Sequence, residues 1–337
     1  MLRYKINKIS EVPKDELLTF YKKVYKKRYK TLANNWRWWY RSDYSEYKPI
    51  VLSVDNKIIG QAGLLPVDLD ISGKKIPAIW FVDFIILDEF QGKGFGRILA
   101  TEWMKICPNQ ITFCNDQSLK VFKKLGWKNN LLAKRLVKPI NSFKFFPIIK
   151  KINLKLVNKF LKYFMKKKYN QSILTNPHAL DKNFKIIQES FNIRKNKKSD
   201  GIAEIIRDES WLQWRLMECP YKKDIYFFEY KNNFAIVHIF WSENIKKLNI
   251  LYNYSTDKLE NNDFFYQIIN WSMNNDIDLV WAVNANAELE NIFPKILNKS
   301  INFASWSSDQ KTFEILQKGL SNPQGIDSDI DSSLYIE

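Results

Sequence analysis

The chain has 337 residues, long enough for one large or two ordinary domains, and 45% of them are hydrophobic, with 12 Trp, 23 Phe and 16 Tyr, which excludes a disordered polymer. Its formal charge is +17, but sixteen Lys and Arg and no acid fall between Gln117 and Leu180, so the excess is local and a uniform nucleic-acid-binding coat is excluded. No apolar run reaches the roughly 18 residues of a membrane span, and the first residues lack the apolar core of a leader. Cys107, Cys114 and Cys219 have no metal-ligand spacing. A cytoplasmic chain with reduced thiols and no metal is expected.

Residues 4–33 carry helix-like spacing, with Leu17, Leu18, Phe20, Tyr21 and Val24 on one broad face. "IVLSVDNKIIGQAGLLPVDLDI" predicts two strands joined at Asp55-Asn56, a turn-favouring pair. After the turn "SGKK" comes an apolar, β-branched strand over about 79–87. "DEFQGKGFG" follows, then a helix over about 96–106, the short strand "NQITFCN", a helix ending at Gly126 and a last strand "LLAKRLVKP". The order predicts a mixed-sheet α/β domain over 1–139.

Residues 140–171 form a basic segment in which Val157, Phe160, Leu161 and Phe164 keep helical spacing with lysines opposite. The reading is a connecting helix, or a surface resting on an anionic membrane or polymer. Residues 172–337 then echo the first domain at an offset of 175: Trp36 matches Trp211, Trp39 matches Trp214, and Ile50-Val51-Leu52 matches Ile225-Tyr226-Phe227. "LVWAVNAN" stands where "ITFCND" stood. A duplicated α/β unit is predicted, without a glycine turn in its second copy.

That turn spends three of the chain's ten glycines in five residues, Gly92 to Gly96, just before a helix. Such a place holds anions, because first-turn amides have no partner inside the helix. A Walker loop fails, since Gly94 follows Lys93. A dinucleotide fingerprint fails at Arg97, which stands where a third glycine is needed, although Asp116 lies 20 residues beyond Gly96.

Gln91-Gly92-Lys93-Gly94-Phe95-Gly96 fills every position of Q/R-x-x-G-x-G/A, the acyl-CoA pyrophosphate loop of the GNAT N-acetyltransferases. "NDQSLKVFKKLGW" resembles that family's second signature through Asn115, Ser118, Gly126 and Trp127. Residues 36–138 therefore resemble a complete GNAT domain, and 172–337 a degenerate second one. The resemblance implies acetyl-CoA or another acyl-CoA as co-substrate. It places the pyrophosphate on the amides of Gly92 to Gly96, with Lys93 and Arg97 adding charge. It sets the pantetheine arm against Ile85, Ile86 and Leu87, with Asn115 on the neighbouring strand.

The implied chemistry is direct attack of an amine on the thioester, helped by a carboxylate base. Asp83, in the apolar run "IWFVDFIIL", is the candidate base or amine-positioning acid, with a satisfied structural acid as the competing reading. Two departures stand out: Trp80 occupies the position of many family bases, and Phe122 that of the tyrosine that protonates the leaving thiolate. Cys114 as an acyl carrier is outweighed by the commoner buried cysteine, and His178 and His238 read as structural. Asp327, Asp329 and Asp331 lack the glycine of a calcium loop.

The expected acceptor is a small amine, taken as an amino-sugar nucleotide or a lipid-linked amino sugar, with 128–168 as the surface for an anionic inner membrane. Two alternatives remain. One is an aminoacyl-tRNA-dependent transferase resembling the peptidoglycan aminoacyl transferases, with tRNA on the basic stretch. The other is a GNAT fold kept as a binding module.

Overall fold

Asp55 and Asn56 have φ of 48° and 61°, the left-handed pair that closes a two-residue hairpin. They join β2 (Ile50–Val54) to β3 (Lys57–Ile71), with Val54 opposite Lys57. Ser72 and Gly73, at 54° and 82°, turn β3 into β4 (Lys74–Ile86) in the same way. The computed structural model describes residues 3–25, 28–140, 174, 177–194, 201–231, 233–242, 244–255, 258–284, 293, 299–321 and 323–327.

The helical spacing expected over 4–33 holds only from Lys14. Tyr4–Lys8 is a strand, β1, antiparallel to β2. Main-chain pairing along an open sheet edge there overrides side-chain periodicity. Helices α1 (Lys14–Val24) and α2 (Tyr29–Trp39) follow and pack on each other. After β4 come α3 (Phe95–Met104), β5 (Asn109–Cys114) parallel to β4, α4 (Asp116–Lys124) and β6 (Lys128–Pro139). The helix expected within 140–171 lies outside the described residues beyond Ile140.

The later elements are β7 (His178–Ala179), α5 (Leu180–Arg194), β8 (Ala203–Ile205), β9 (Ile225–Tyr230), β10 (Asn233–Ser242) and β11 (Ile245–Tyr254). They continue with α6 (Lys258–Asn274), β12 (Leu279–Asn284), β13 (Lys299–Ser307), α7 (Gln310–Lys318) and β14 (Leu320–Ser321). Strands β9, β10 and β11 are antiparallel and β12 runs parallel to β11, the same order and sense as β2 to β5.

One sheet runs through the molecule in the order β1-β2-β3-β4-β5-β13-β6-β12-β11-β10-β9-β7, with β8 joining β3 to β14 at the side. β6 leaves the first run of strands to lie against β12, and β13 leaves the second to lie against β5. The exchange ties the two runs together through main-chain bonds. The tryptophan segments of the sequence echo also meet: Trp38 Nε1 donates to the Trp214 carbonyl at 2.9 Å, and Trp214 Nε1 donates to that of Trp38 at 2.7 Å. One apolar core covers β2–β4 with α1–α3, and a second lies under β10–β12 with α6.

Candidate active site

Beside this core the sheet opens. β4 and β5 pair only at Ile79–Gln110 and Trp80–Ile111, then part. The gap is a cavity of about 190 Å³ walled by Tyr25, Phe81, Asp83, Phe113, Asn115 and Phe122, among others. Thr112 Oγ1 donates to the Phe81 carbonyl at 2.7 Å and fixes the point of divergence. On the other edge of β4, Val82 faces Gly63 and Ile85 faces Gln61, so Asp83 and Phe84 together oppose Ala62. This is a bulge, which lifts main chain out of the ladder and re-aims it.

Asp83 sits in the bulge at φ 49°, a conformation that costs a non-glycine residue about 1–3 kcal/mol. Its carboxylate holds it there. Oδ2 accepts from Trp39 Nε1 at 2.9 Å and Tyr40 Oη at 3.0 Å; Oδ1 accepts from Tyr25 Oη at 3.1 Å and from the Arg28 guanidinium. Four donors fill about the four lone-pair directions a carboxylate has. The network continues through Gln61, which donates to Tyr40 Oη at 2.6 Å and accepts from Tyr21 Oη at 2.6 Å. Gly63 makes room for it: a Cβ there would lie 2.7 Å from the Tyr40 ring and 2.8 Å from the Val82 carbonyl. Burial first, and then the Asp83 charge, push the phenols of Tyr25 and Tyr40 well above their ordinary value. They stay protonated donors.

The glycine turn stands at the cleft's edge. Gly92 and Gly94 have φ of 75° and 88°, and Gly94 is the N-cap of α3 with no side chain to bond the first-turn amides. Only the amides of Arg97 and Ile98 return to the Gly94 carbonyl, at 3.1 and 3.2 Å. Gly96 lies against Phe84 and Ile86, which brings the turn up to the bulge. Lys93 and Arg97 are exposed, Lys93 with its ammonium 5.3 Å from the Phe90 ring centre. Gln91 braces the loop from within: its Nε2 reaches the Ile86 carbonyl at 3.0 Å and Asp88 Oδ1 at 2.8 Å.

The remaining sequence candidates divide. Ile85, Asn115, Ser118 and Phe122 line the cleft with Asp83. Asn115 caps α4 by accepting from the Ser118 amide at 2.8 Å. Leu87 does not present free main chain: its amide donates to Ile59 and its carbonyl accepts from Phe90, both at 2.8 Å. Phe122 is buried and stacks on Trp127 at 4.7 Å, beside the 3.7 Å stack of Phe81 on Trp103. Burial, and then Asp116, push the Cys114 thiol up to about 12, which makes it a poor nucleophile at neutral pH. His178 is exposed, and His238 is buried between Tyr221 and Phe240, away from the cleft. Asp327 is buried in an ion pair with Arg207, while Asp329 and Asp331 lie outside the described residues. Among the described residues no group of three His, Cys, Asp or Glu gathers to hold a metal, and no helix is long and apolar enough to cross a membrane.

Sequence reasoning missed Tyr25, Arg28, Trp39 and Tyr40. Tyr25 closes α1, Arg28 precedes α2 and Trp39 and Tyr40 end α2, so no single helical period marks the four in the sequence.

A strand pair that splays beside a bulge, with a glycine-capped helix at its mouth, is matched by sequence as well. The family model described as Acetyltransferase (GNAT) family matches residues 11–127. Residues 11–127 are a GNAT acetyltransferase domain.

The GNAT likeness extends over the fold. A GCN5-related N-acetyltransferase from Kribbella flavida aligns with a TM-score of 0.58 at 9% identity, covering 90% of this chain and 71% of that one. Saccharomyces cerevisiae N-myristoyltransferase with bound myristoyl-CoA aligns at 0.58 and 11%, covering 90% and 78%. A GCN5-related N-acetyltransferase from Anabaena variabilis aligns at 0.54 and 13%, covering 90% and 72%. A search of curated proteins by sequence gave no match. The chain thus has the GNAT N-acyltransferase fold, a mixed α/β sheet with helices.

Proposed function

We propose that the protein transfers a short acyl group from acyl-CoA to a primary amine, with the chemistry in the β4/β5 cleft. One observation carries the reading: the uncapped amides at Gly94–Gly96 stand beside the gap where β4 and β5 part. Helix N-termini of this kind bind phosphates, here the CoA pyrophosphate, with Lys93 and Arg97 beside it. The pantetheine arm then lies between β4 and β5, against Ile85, Ile86 and Asn115. Residues 172–337 form a degenerate second GNAT unit, joined by 140–171, whose strand β13 pairs with β5 beside the cleft.

The amine nitrogen attacks the thioester carbon, the C–S bond breaks, and the amine proton ends on the CoA sulfur. Main chain freed by the bulge polarises the thioester carbonyl. Asp83 acts as the positioning acid of that bulge. Its four donors occupy the lone pairs with which it would take a proton from the amine. Tyr25 is the hydroxyl in the cleft that Phe122 lacks: its one proton rests on Asp83 Oδ1 at 3.1 Å and turns from there to the sulfur as charge grows.

Phe81 and Phe122, stacked on Trp103 and Trp127 behind them, wall the inner side of the cleft, which favours acetyl over a long chain. The Saccharomyces neighbour holds myristoyl-CoA, so a long-chain donor is the comparison to run against acetyl-CoA. The acceptor is an amino sugar in this reading. Purified protein should release CoA from acetyl-CoA in the presence of an amino-sugar panel. Faster turnover with myristoyl-CoA, or with peptides or polyamines instead, would sink the proposal in its acyl or its acceptor part.

A further inference from the structure

Next to the cleft is a larger cavity of about 800 Å³, formed where β13 and β6 cross between β5 and β12. It shares Phe113, Cys114 and Asn115 with the small cleft, so a molecule in it borders the thioester's position. Its size is that of a ligand pocket. Val137, Trp281 and Ile301 make an apolar floor. Arg135, Lys247 and Lys299 stand around it, against a single acid, Asp116, whose Oδ1 already accepts from Asn302 at 2.8 Å.

Lys299 and Arg135 are direct partners across the β13–β6 ladder. Like charges placed opposite each other repel. Neither has a carboxylate partner among the described residues, and both are exposed. An anion between them would relieve the repulsion and accept from the Arg fork and the two ammonium groups at once. Trp281, with the Arg135 guanidinium 5.8 Å from its ring centre, offers a face for a sugar ring beside that anion.

We infer that the acceptor amine carries a phosphate, seated by Arg135, Lys247 and Lys299 over the Trp281 floor. This rests on the proposed function and names its substrate class: a phosphorylated amino sugar, free or linked onward through the phosphate.

Calorimetry on the full chain at low salt, with glucosamine 6-phosphate, glucosamine and inorganic pyrophosphate as probes, tests it without any acyl donor. The sugar phosphate should bind at least tenfold more tightly than glucosamine. Arg135→Gln and Lys299→Gln should each weaken it about tenfold, with unfolding temperature and acetyl-CoA affinity unchanged. Equal binding of the sugar and its phosphate, no binding of either phosphate probe, or variants without effect would each overturn the inference. Phosphate binding as expected, with no acetyl-CoA binding, would overturn the function reading and leave this site standing.

Discussion

The two strand pairs at the heart of the sheet begin alike and end differently. β4 and β5 part after two paired positions, whereas β11 and β12 stay paired over four, from Lys247–Leu279 to Ile250–Ala282. Both β4 and β11 carry a bulge, at Asp83–Phe84 and at Leu251. Beside the first there is open space. Beside the second the chain has placed its own turn, Gly325–Asp327, across β11 and β12. Gln324 Oε1 accepts from the Asn253 amide at 2.7 Å, and Gln324 Nε2 donates to the Asn253 carbonyl at 2.9 Å. Its amide group satisfies main chain of the kind that, under the proposed function, β4 would offer to a pantetheine arm. Asp327 fixes the turn by accepting from Arg207 Nε at 2.7 Å and Nη2 at 2.5 Å. Buried main chain must be paired; the β11/β12 pair answers that internally, and under the proposed function the β4/β5 pair leaves it to the acyl-CoA.

The largest expected effect is on the filled side. Asp327→Ala leaves the Arg207 guanidinium buried without its partner, a change that costs about 3–5 kcal/mol. Thermal unfolding should show it, while acetyl-CoA affinity at low temperature stays within twofold. Loss of that affinity would mean that the two sides are not independent.

Asp83→Asn comes next, on the open side. It keeps the shape but weakens the hold on Arg28, and should cost about 2 kcal/mol. The pH profile of kcat/KM should keep its shape. A lost acidic limb with stability unchanged would instead make Asp83 the base.

Tyr25→Phe removes one hydrogen bond, worth about 1 kcal/mol, and should lower kcat about tenfold with the KM for acetyl-CoA unchanged. An equal change in both would mean that Tyr25 only shapes the cleft.

The smallest effect is at Cys114. Its folded thiol titrates near 12, against about 8.5 unfolded. The folded state therefore holds the proton longer, and the stability this gives is present below about pH 8.5 and lost as pH rises towards 12. Wild type minus Cys114→Ser, followed by unfolding between pH 8 and 12, should decline across that window. A flat difference would contradict the assignment.

Much of the open side was legible because its chemistry is local. A left-handed turn needs glycine, and Gly92 and Gly94 stand at φ 75° and 88°; the Asp55-Asn56 turn was readable for the same reason. Asp83 drew notice as an acid in an apolar run. What saturates it could not be read there, since Tyr25, Arg28, Trp39 and Tyr40 lie more than forty residues away in sequence and arrive by packing of α1 and α2. The exchange of β6 and β13 was equally hidden, because a strand's own sequence does not name its neighbour. β1 was misread because edge pairing, not periodicity, decides that segment. The large cavity depends on the exchange, so Arg135 and Lys299 showed only as members of basic or polar stretches.

The central claim is that one side of the molecule is open to acyl-CoA and the other is closed by its own chain. Calorimetric titration with acetyl-CoA, on wild type and Gly94→Glu, tests it most directly. The account predicts one site per chain, lost in the variant, whose Cβ meets no atom within 4 Å and whose fold is retained at a cost of about 1–2 kcal/mol for the left-handed backbone. Two sites per chain, or full binding in a folded Gly94→Glu, would contradict it.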